Sequence, residues 1–136
     1  MTQDKPTLRR RLFRLGLTFV ISSAIGAVFT IGNLSFRTVN VMLHPRRLPV
    51  TETPAVRGLP YEDVSFASAD GTMLRGWFIP GRDRAAVVLA HGLGANRATM
   101  LETASWLWER GGFSVVAFDL RASGDSGGDT TTFGYH

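Results

Sequence analysis

The sequence has no cysteine among its 136 residues. Disulfide bonds, thiolate metal sites and cysteine nucleophiles are therefore excluded, although this absence decides nothing about the compartment. The chain also lacks an internal repeat and a low-complexity tract. Its length allows at most one modest domain and an appendage.

Positive charge is unevenly distributed along the chain. Residues 1–47 contain eight Lys and Arg and one acidic residue, whereas residues 48–136 contain seven basic and ten acidic residues. The formal charges of the two parts are +7 and −3. Because the basic residues surround an apolar stretch, they indicate a membrane topology; no nucleic-acid partner is expected.

The apolar stretch covers residues 15–36, which are 22 residues without a charged side chain. At about 1.5 Å per residue it reaches roughly 33 Å, enough to cross a bilayer core of about 30 Å. We predict a basic N-terminal segment (1–14) and a transmembrane helix (15–36) that contacts the lipid bilayer. The length of the stretch and the lack of an A-x-A-like site disfavour a cleaved signal peptide. A twin-arginine export signal in RRLF stays open, and three glycines disfavour a soluble core helix.

The balance of basic residues around this stretch predicts its orientation. Five precede it and three follow it: Lys5, Arg9, Arg10, Arg11 and Arg14, then Arg37, Arg46 and Arg47. Since Lys and Arg favour the cytoplasmic side, we predict a single-pass protein with a cytoplasmic N-terminus and the domain outside.

The remainder divides into a linker and a domain. Four prolines and little apolar periodicity predict an extended linker over 37–60. In the domain (61–136), VSFAS and MLRGWFIP flank an Asp-Gly pair, which predicts an antiparallel hairpin. AAVVLA and FSVVAFDL predict two buried strands, joined by a helix with Asn96 as its N-cap and Gly111-Gly112 as its end. The fold class is therefore α/β, with a hairpin and a βαβ unit in a mostly parallel sheet.

The run His91-Gly92-Leu93-Gly94 follows the first buried strand, at the sheet edge where ligands bind in open α/β folds. One interpretation is an oxyanion hole, in which a backbone N–H stabilises charge on a carbonyl oxygen. A second is a dinucleotide-binding turn, although Arg97 replaces the third glycine. Asp119, the candidate ribose ligand, lies 27 residues after Gly92, against about 20 in that motif. The third is a plain strand-to-helix turn in which His91 bonds local backbone groups.

Several segments in order resemble the N-terminal half of an α/β-hydrolase domain: PYEDVSFASADGTMLRGWFIPG, AAVVLAHGLGANRATM, SVVAFDLRASGDSGG and TTFGYH. They are similar to the serine-aminopeptidase and monoglyceride-lipase-like branch. The resemblance implies the N-terminal part of an α/β-hydrolase sheet, preceded here by a transmembrane helix. It also implies that the Leu93 N–H is one of two oxyanion-hole donors, with His91, Gly92 and Gly94 shaping the loop.

The resemblance assigns structural roles in the loop after the fourth strand to Asp119, Arg121, Gly124 and Ser126. In this loop Ala122 replaces the first glycine of the family's usual pattern. If that position has a positive φ, alanine carries strain of about 1 kcal/mol.

Ser126 lies in GDSGG, which matches both the serine run of trypsin-like proteases and the Gly-x-Ser-x-Gly elbow. A trypsin-like protease needs two all-β barrels, which a βαβ unit excludes. An elbow serine lies directly between a strand and a helix, whereas Ser126 lies about six residues beyond the strand end near Leu120. We therefore expect its hydroxyl to bond backbone groups.

The resemblance places the nucleophile after a fifth strand, beyond His136. We therefore expect no catalytic residue in this chain, and no metal or cofactor. The predicted function is the N-terminal portion of a membrane-anchored serine hydrolase that cleaves ester or amide bonds of a small-molecule, lipid or peptide substrate through an acyl-enzyme. Two alternatives stay open: a catalytically inactive membrane-anchored fragment, and a nucleotide-binding α/β module, which Arg97 disfavours.

Overall fold

A computed structural model describes residues 8–131, which belong to two compact units that divide between Asn40 and Val41. Helix α1 (Leu8–Leu43) belongs to the first unit as far as Asn40. Its last three residues belong to the second unit. At 36 residues the helix is longer than the apolar stretch at both ends, and none of its residues is buried. Its length and composition suit a membrane span or a signal sequence.

Two hydroxyl groups in the apolar stretch are bonded within α1. Thr18 Oγ1 donates to the Leu15 carbonyl over 2.9 Å, and Thr30 Oγ1 donates to the Gly26 carbonyl over 2.8 Å. Hydrocarbon offers no hydrogen-bonding partner, so these internal bonds reduce the cost of placing both threonines in lipid.

The second unit contains a four-stranded sheet and one α-helix. The strands are β1 (Glu62–Ala67), β2 (Met73–Ile79), β3 (Ala86–Ala90) and β4 (Ser114–Phe118), and helix α2 covers Leu101–Gly111. The sheet order is β1-β2-β4-β3. The turn between β1 and β2 is closed by the Gly71 N–H, which donates to the Ser68 carbonyl over 2.9 Å. The predicted hairpin and βαβ unit are thus confirmed.

The expectation of a mostly parallel sheet is wrong for the described residues. β1 and β2 are antiparallel, β2 and β4 are antiparallel, and only β3 and β4 are parallel. The physical reason is the crossover through α2, which inserts β4 between the hairpin and β3. The hairpin therefore contributes two antiparallel pairings, and the βαβ unit contributes one parallel pairing.

The helical segment begins at the predicted cap and α2 ends at the predicted glycines, but the α-helix itself starts only at Leu101, after a 3₁₀ turn. The Asn96 side chain accepts the Ala98 N–H over 3.0 Å and caps a 3₁₀ turn, Arg97–Met100, that leads into α2. Gly112 ends the helix in the left-handed conformation, at φ 66°.

The core lies between α2 and one face of the sheet. It consists of Leu59, Ile79, Ala104 and Val115, with Tyr61, Leu89, Leu107 and Trp108 packed around them. Leu59 and the buried Pro54 come from the segment predicted as a linker. The part of that segment from Val41 onward therefore belongs to the compact domain.

Strand β3 lies at one edge of the described sheet. Its backbone pairs with β4 along one side only, within residues 8–131. On the face opposite α2 the Val88 side chain is 65% exposed. An apolar strand edge is thus open to another strand.

Candidate active site

The glycine turn (residues 91–96) connects the carboxyl end of β3 to the 3₁₀ turn before α2. Gly92, Leu93 and Gly94 are exposed, whereas His91 and Asn96 at the two ends are buried. Gly94 has φ +73°, a backbone conformation that residues other than glycine rarely adopt. The middle of the turn is thus open and its ends are fixed.

His91 fixes the first end of the turn. Its Nε2 accepts the backbone N–H of Leu120 over 3.0 Å, so this nitrogen carries no proton. The proton is therefore on Nδ1, which donates to the Gly92 carbonyl over 2.8 Å. Because backbone groups occupy both ring nitrogens, His91 is not available as a general base, and it joins the turn to the end of β4.

Asp119, the residue before Leu120, fixes the other end of the turn. Its fully buried carboxylate accepts the backbone N–H of Arg97 over 2.7 Å and pairs with the Arg97 guanidinium. The same carboxylate accepts the Asp125 N–H over 2.9 Å. Two consecutive residues at the end of β4 therefore hold both ends of the glycine turn.

The Arg97 side chain links three parts of the domain. Its guanidinium lies 4.6 Å from the Trp77 ring centroid, and its Nη2 donates to Asp125 over 2.8 Å. This engagement opposes the nucleotide interpretation, since the Asp119 carboxylate is unavailable to a ribose.

The Leu93 N–H is one of three chemically open N–H groups in the turn, together with those of Gly92 and Gly94. It has no hydrogen-bond acceptor within the described part of the chain, and the residue is 57% exposed. The neighbouring Gly92 has open space where a Cβ would project. A substrate carbonyl could approach this N–H without a side chain in its path.

The Ser126 hydroxyl is engaged with the backbone. Ser126 is 1% exposed; its Oγ donates to the Asp119 carbonyl over 2.6 Å and accepts the Arg75 N–H over 2.9 Å. A nucleophilic serine instead needs an exposed hydroxyl beside a base. The geometry supports a role for Ser126 in joining the loop after β4 to strand β2.

The domain has the architecture of known hydrolases. The Pyrococcus furiosus esterase Pf2001 superposes with a TM-score of 0.64 and 34% sequence identity, over 69% of this chain and 37% of the esterase. The domain is the N-terminal part of an α/β-hydrolase fold. No protein-family model matches the chain.

Curated relatives of this hydrolase-fold domain include bacterial and fungal proteins. The uncharacterized protein YfhR of Escherichia coli is 39% identical over 79 residues, which are 54% of this chain and 28% of YfhR. The thiohydrolase aneE of Aspergillus aculeatus is 36% identical over 69 residues, 50% of this chain and 22% of aneE. The chain thus spans about a quarter of the length of these relatives.

The β4 loop (residues 119–128) of the hydrolase-fold domain contains three residues with positive φ, namely Ala122, Gly124 and Gly128. Ala122 has φ 60° and is buried, so the replaced glycine position does require a positive φ. Gly124 has φ +46°, and a Cβ there would lie 2.1 Å from Asp119 Oδ2. Glycine at 124 therefore permits the close approach that encloses the Asp119 carboxylate.

Arg121 ties the β4 loop to the hairpin turn. It forms an ion pair with Asp70, and its Nη1 donates to Thr72 Oγ1 over 2.8 Å. Its Nε donates to the Thr130 carbonyl over 3.0 Å.

No pattern in the sequence indicates Arg47 as a site residue. Its guanidinium donates to the carbonyls of Ser126, over 2.5 Å, and of Gly128 in the β4 loop. The Asn96 amide, beyond its role as the N-cap, also donates to the Leu48 and Pro49 carbonyls over 3.1 and 3.0 Å. The segment 47–49 therefore bridges the β4 loop and the glycine turn.

Within residues 8–131 no group of three or more His, Asp and Glu side chains is placed to hold a metal ion.

Proposed function

We propose that this chain supplies the membrane anchor and half of the oxyanion hole of a serine hydrolase that cleaves ester or amide bonds through an acyl-enzyme. Leu93 provides the N–H donor. His91, Gly92 and Gly94 shape the turn around it, and Asp119, Arg121, Gly124 and Ser126 hold the β4 loop. The substrate is a small molecule, a lipid or a peptide.

The observation that carries this proposal is the unpartnered N–H of the exposed residue Leu93, in a turn held at both ends. A fixed donor stabilises a developing oxyanion without reorganising during the reaction, which is why such donors contribute strongly to catalysis. The contacts of Asp119 and His91 with the turn supply that fixation. The likeness to an esterase and to a thiohydrolase supports acyl chemistry at this edge.

Membrane attachment is supported by α1. The helix contains the 22-residue uncharged stretch, and none of its residues is buried. A cytoplasmic N-terminus with the domain outside is supported by the excess of basic residues before the stretch.

The nucleophile can be tested with a fluorophosphonate probe. The 136-residue chain should stay unlabelled at Ser126. The coding sequence continued past codon 136 should encode a further strand, a Gly-x-Ser-x-Gly turn and a helix, and its product should be labelled at that serine. Labelling of Ser126, or an in-frame stop directly after codon 136, would contradict the proposal.

The donor can be tested in the longer product. Leu93→Pro removes the N–H and should lower kcat for p-nitrophenyl esters by about 10²–10³-fold, the usual effect of losing one oxyanion donor. Leu93→Ala keeps the N–H and removes only an exposed side chain, so it should stay within about threefold of the parent. Equal kcat values for the two variants would show that Leu93 is not a donor.

A further inference from the structure

Four arginines are concentrated in the first two turns of α1. They are Arg9, Arg10, Arg11 and Arg14, whereas the rest of the helix carries only Arg37. No acidic residue occurs in α1. Within residues 8–131 none of the four arginines forms an ion pair. Among the described residues this arginine cluster is thus a concentrated positive charge without a counter-charge on α1.

The arginine cluster lies at a defined depth relative to the apolar stretch. Arg11 and Arg9 precede Leu15 by four and six residues, or about 6 and 9 Å along the helix axis. The headgroup region of one leaflet is about 5–8 Å thick, so three guanidinium groups reach the level of the lipid phosphates. Arg14 lies next to the stretch, and its long side chain can extend back to the same level.

The arginine cluster also occupies one side of the helix. At about 100° per residue, Arg9, Arg10, Arg11 and Arg14 fall within an arc of about 200°. Leu8, Leu12 and Leu15 share the opposite arc, at spacings of four and seven residues, and all three are more than half exposed. The helix end thus offers guanidinium groups to phosphates on one side and leucines to acyl chains on the other.

We infer that the arginine cluster binds the phosphate groups of anionic phospholipids in the leaflet at the N-terminal end of α1. Guanidinium groups bind phosphate oxygens through paired N–H donors, and basic residues beside a membrane helix attract anionic lipids. The inference rests on the proposed membrane span. It adds a partner of stated chemistry, namely anionic rather than zwitterionic headgroups.

The test reconstitutes the full chain in vesicles of equimolar phosphatidylglycerol and phosphatidylcholine, and counts the lipids that remain bound by native mass spectrometry. The wild-type chain should retain phosphatidylglycerol over phosphatidylcholine by about fivefold or more. Replacing all four arginines by glutamine should reduce the preference to about 1.5-fold or less. The matched control Arg37→Gln should keep it.

Three results would overturn the inference. They are an unchanged preference in the fourfold variant, no preference in the wild type, and displacement of the lipid by inorganic phosphate at roughly a hundredfold excess over the protein. Alkaline carbonate extraction distinguishes a failure of the lipid-binding inference from a failure of the proposed membrane span. A chain that stays in the vesicles without lipid preference refutes only the arginine cluster, whereas a chain that is washed out refutes the span itself.

Discussion

Asp119 and Arg97 form an ion pair in which the two side chains are 0% and 8% exposed. The same guanidinium bonds Asp125, whose side chain is 56% exposed. The Arg97 guanidinium therefore contacts one carboxylate in the low-dielectric interior and a second carboxylate that is exposed to water.

Arg97→Met should destabilise the domain by about 3–5 kcal/mol, because it leaves the Asp119 carboxylate buried without its cation. Asp125→Asn should cost about 0–1 kcal/mol, because water screens an exposed pair. Urea unfolding of the full chain in detergent checks this through tryptophan fluorescence. All three tryptophans, Trp77, Trp106 and Trp108, lie in the domain. Equal costs for the two variants would show that burial does not set the strength of these pairs.

His91→Ala should cost about 1–3 kcal/mol of unfolding free energy, since it leaves the Leu120 N–H without its acceptor. It should also speed hydrogen exchange at Leu120 and at Ala95, whose N–H closes the glycine turn on the Gly92 carbonyl. The matched variant Leu93→Ala changes an exposed side chain and should stay within about 0.5 kcal/mol. Protection at Leu120 that survives in His91→Ala would refute the anchoring role.

Gly124→Ala should cost about 3–5 kcal/mol, because the new Cβ would overlap the Asp119 carboxylate and displace it from Arg97. Ala122→Gly provides the contrast. Relief of about 1–2 kcal/mol of left-handed strain is offset by the loss of a buried methyl group, about 0.8 kcal/mol, and by the flexibility of glycine, about 0.4–1 kcal/mol. The net change should be within about 0.5 kcal/mol of zero, again measured by urea unfolding. A tolerated Gly124→Ala would show that the loop can shift away from Asp119.

The domain alone (residues 41–136) should self-associate through the open edge of β3, as judged by size-exclusion chromatography. Val88→Lys places a charge on that strand and should shift the protein toward the monomer. Thr103→Lys makes the same change of charge on the exposed surface of α2 and should have no such effect. A monomeric parent domain would refute the prediction.

The membrane orientation can be tested because the chain has no cysteine. Single cysteines at Thr2 and Thr51 would react with a membrane-impermeant maleimide from opposite sides of sealed vesicles of known sidedness. Thr51→Cys should react from the outside, and Thr2→Cys only after the membrane is opened. The reverse pattern would place the domain in the cytoplasm.

Local sequence signals predicted those parts of the domain that depend on neighbouring residues. The Asp70-Gly71 pair indicates the hairpin, Asn96 indicates the start of the helical segment, and Gly112 its end. The replacement at Ala122 raised the question of a left-handed residue, and its φ of 60° confirms that conformation. Each of these features is decided by the backbone preferences of one or two residues.

Contacts between distant residues could not be predicted in this way. In the sequence Arg97 only disfavours nucleotide binding, and its ion-pair partner Asp119 lies 22 residues away. Pro54 and Leu59 lie in a proline-rich segment without periodicity, so their burial leaves no local pattern. The order β1-β2-β4-β3 likewise depends on a crossover that no single stretch encodes.

The hydrogen bonds of Arg47 also determine when one contact of the domain can form during synthesis. Its acceptors in the β4 loop follow it by 77 to 81 residues. At about 5–20 residues per second, the ribosome needs roughly 4–16 s to make the intervening chain. During those seconds the guanidinium has no loop to bind, so the contact that joins the beginning of the domain to the β4 loop can form only after residues 124–128 have been made.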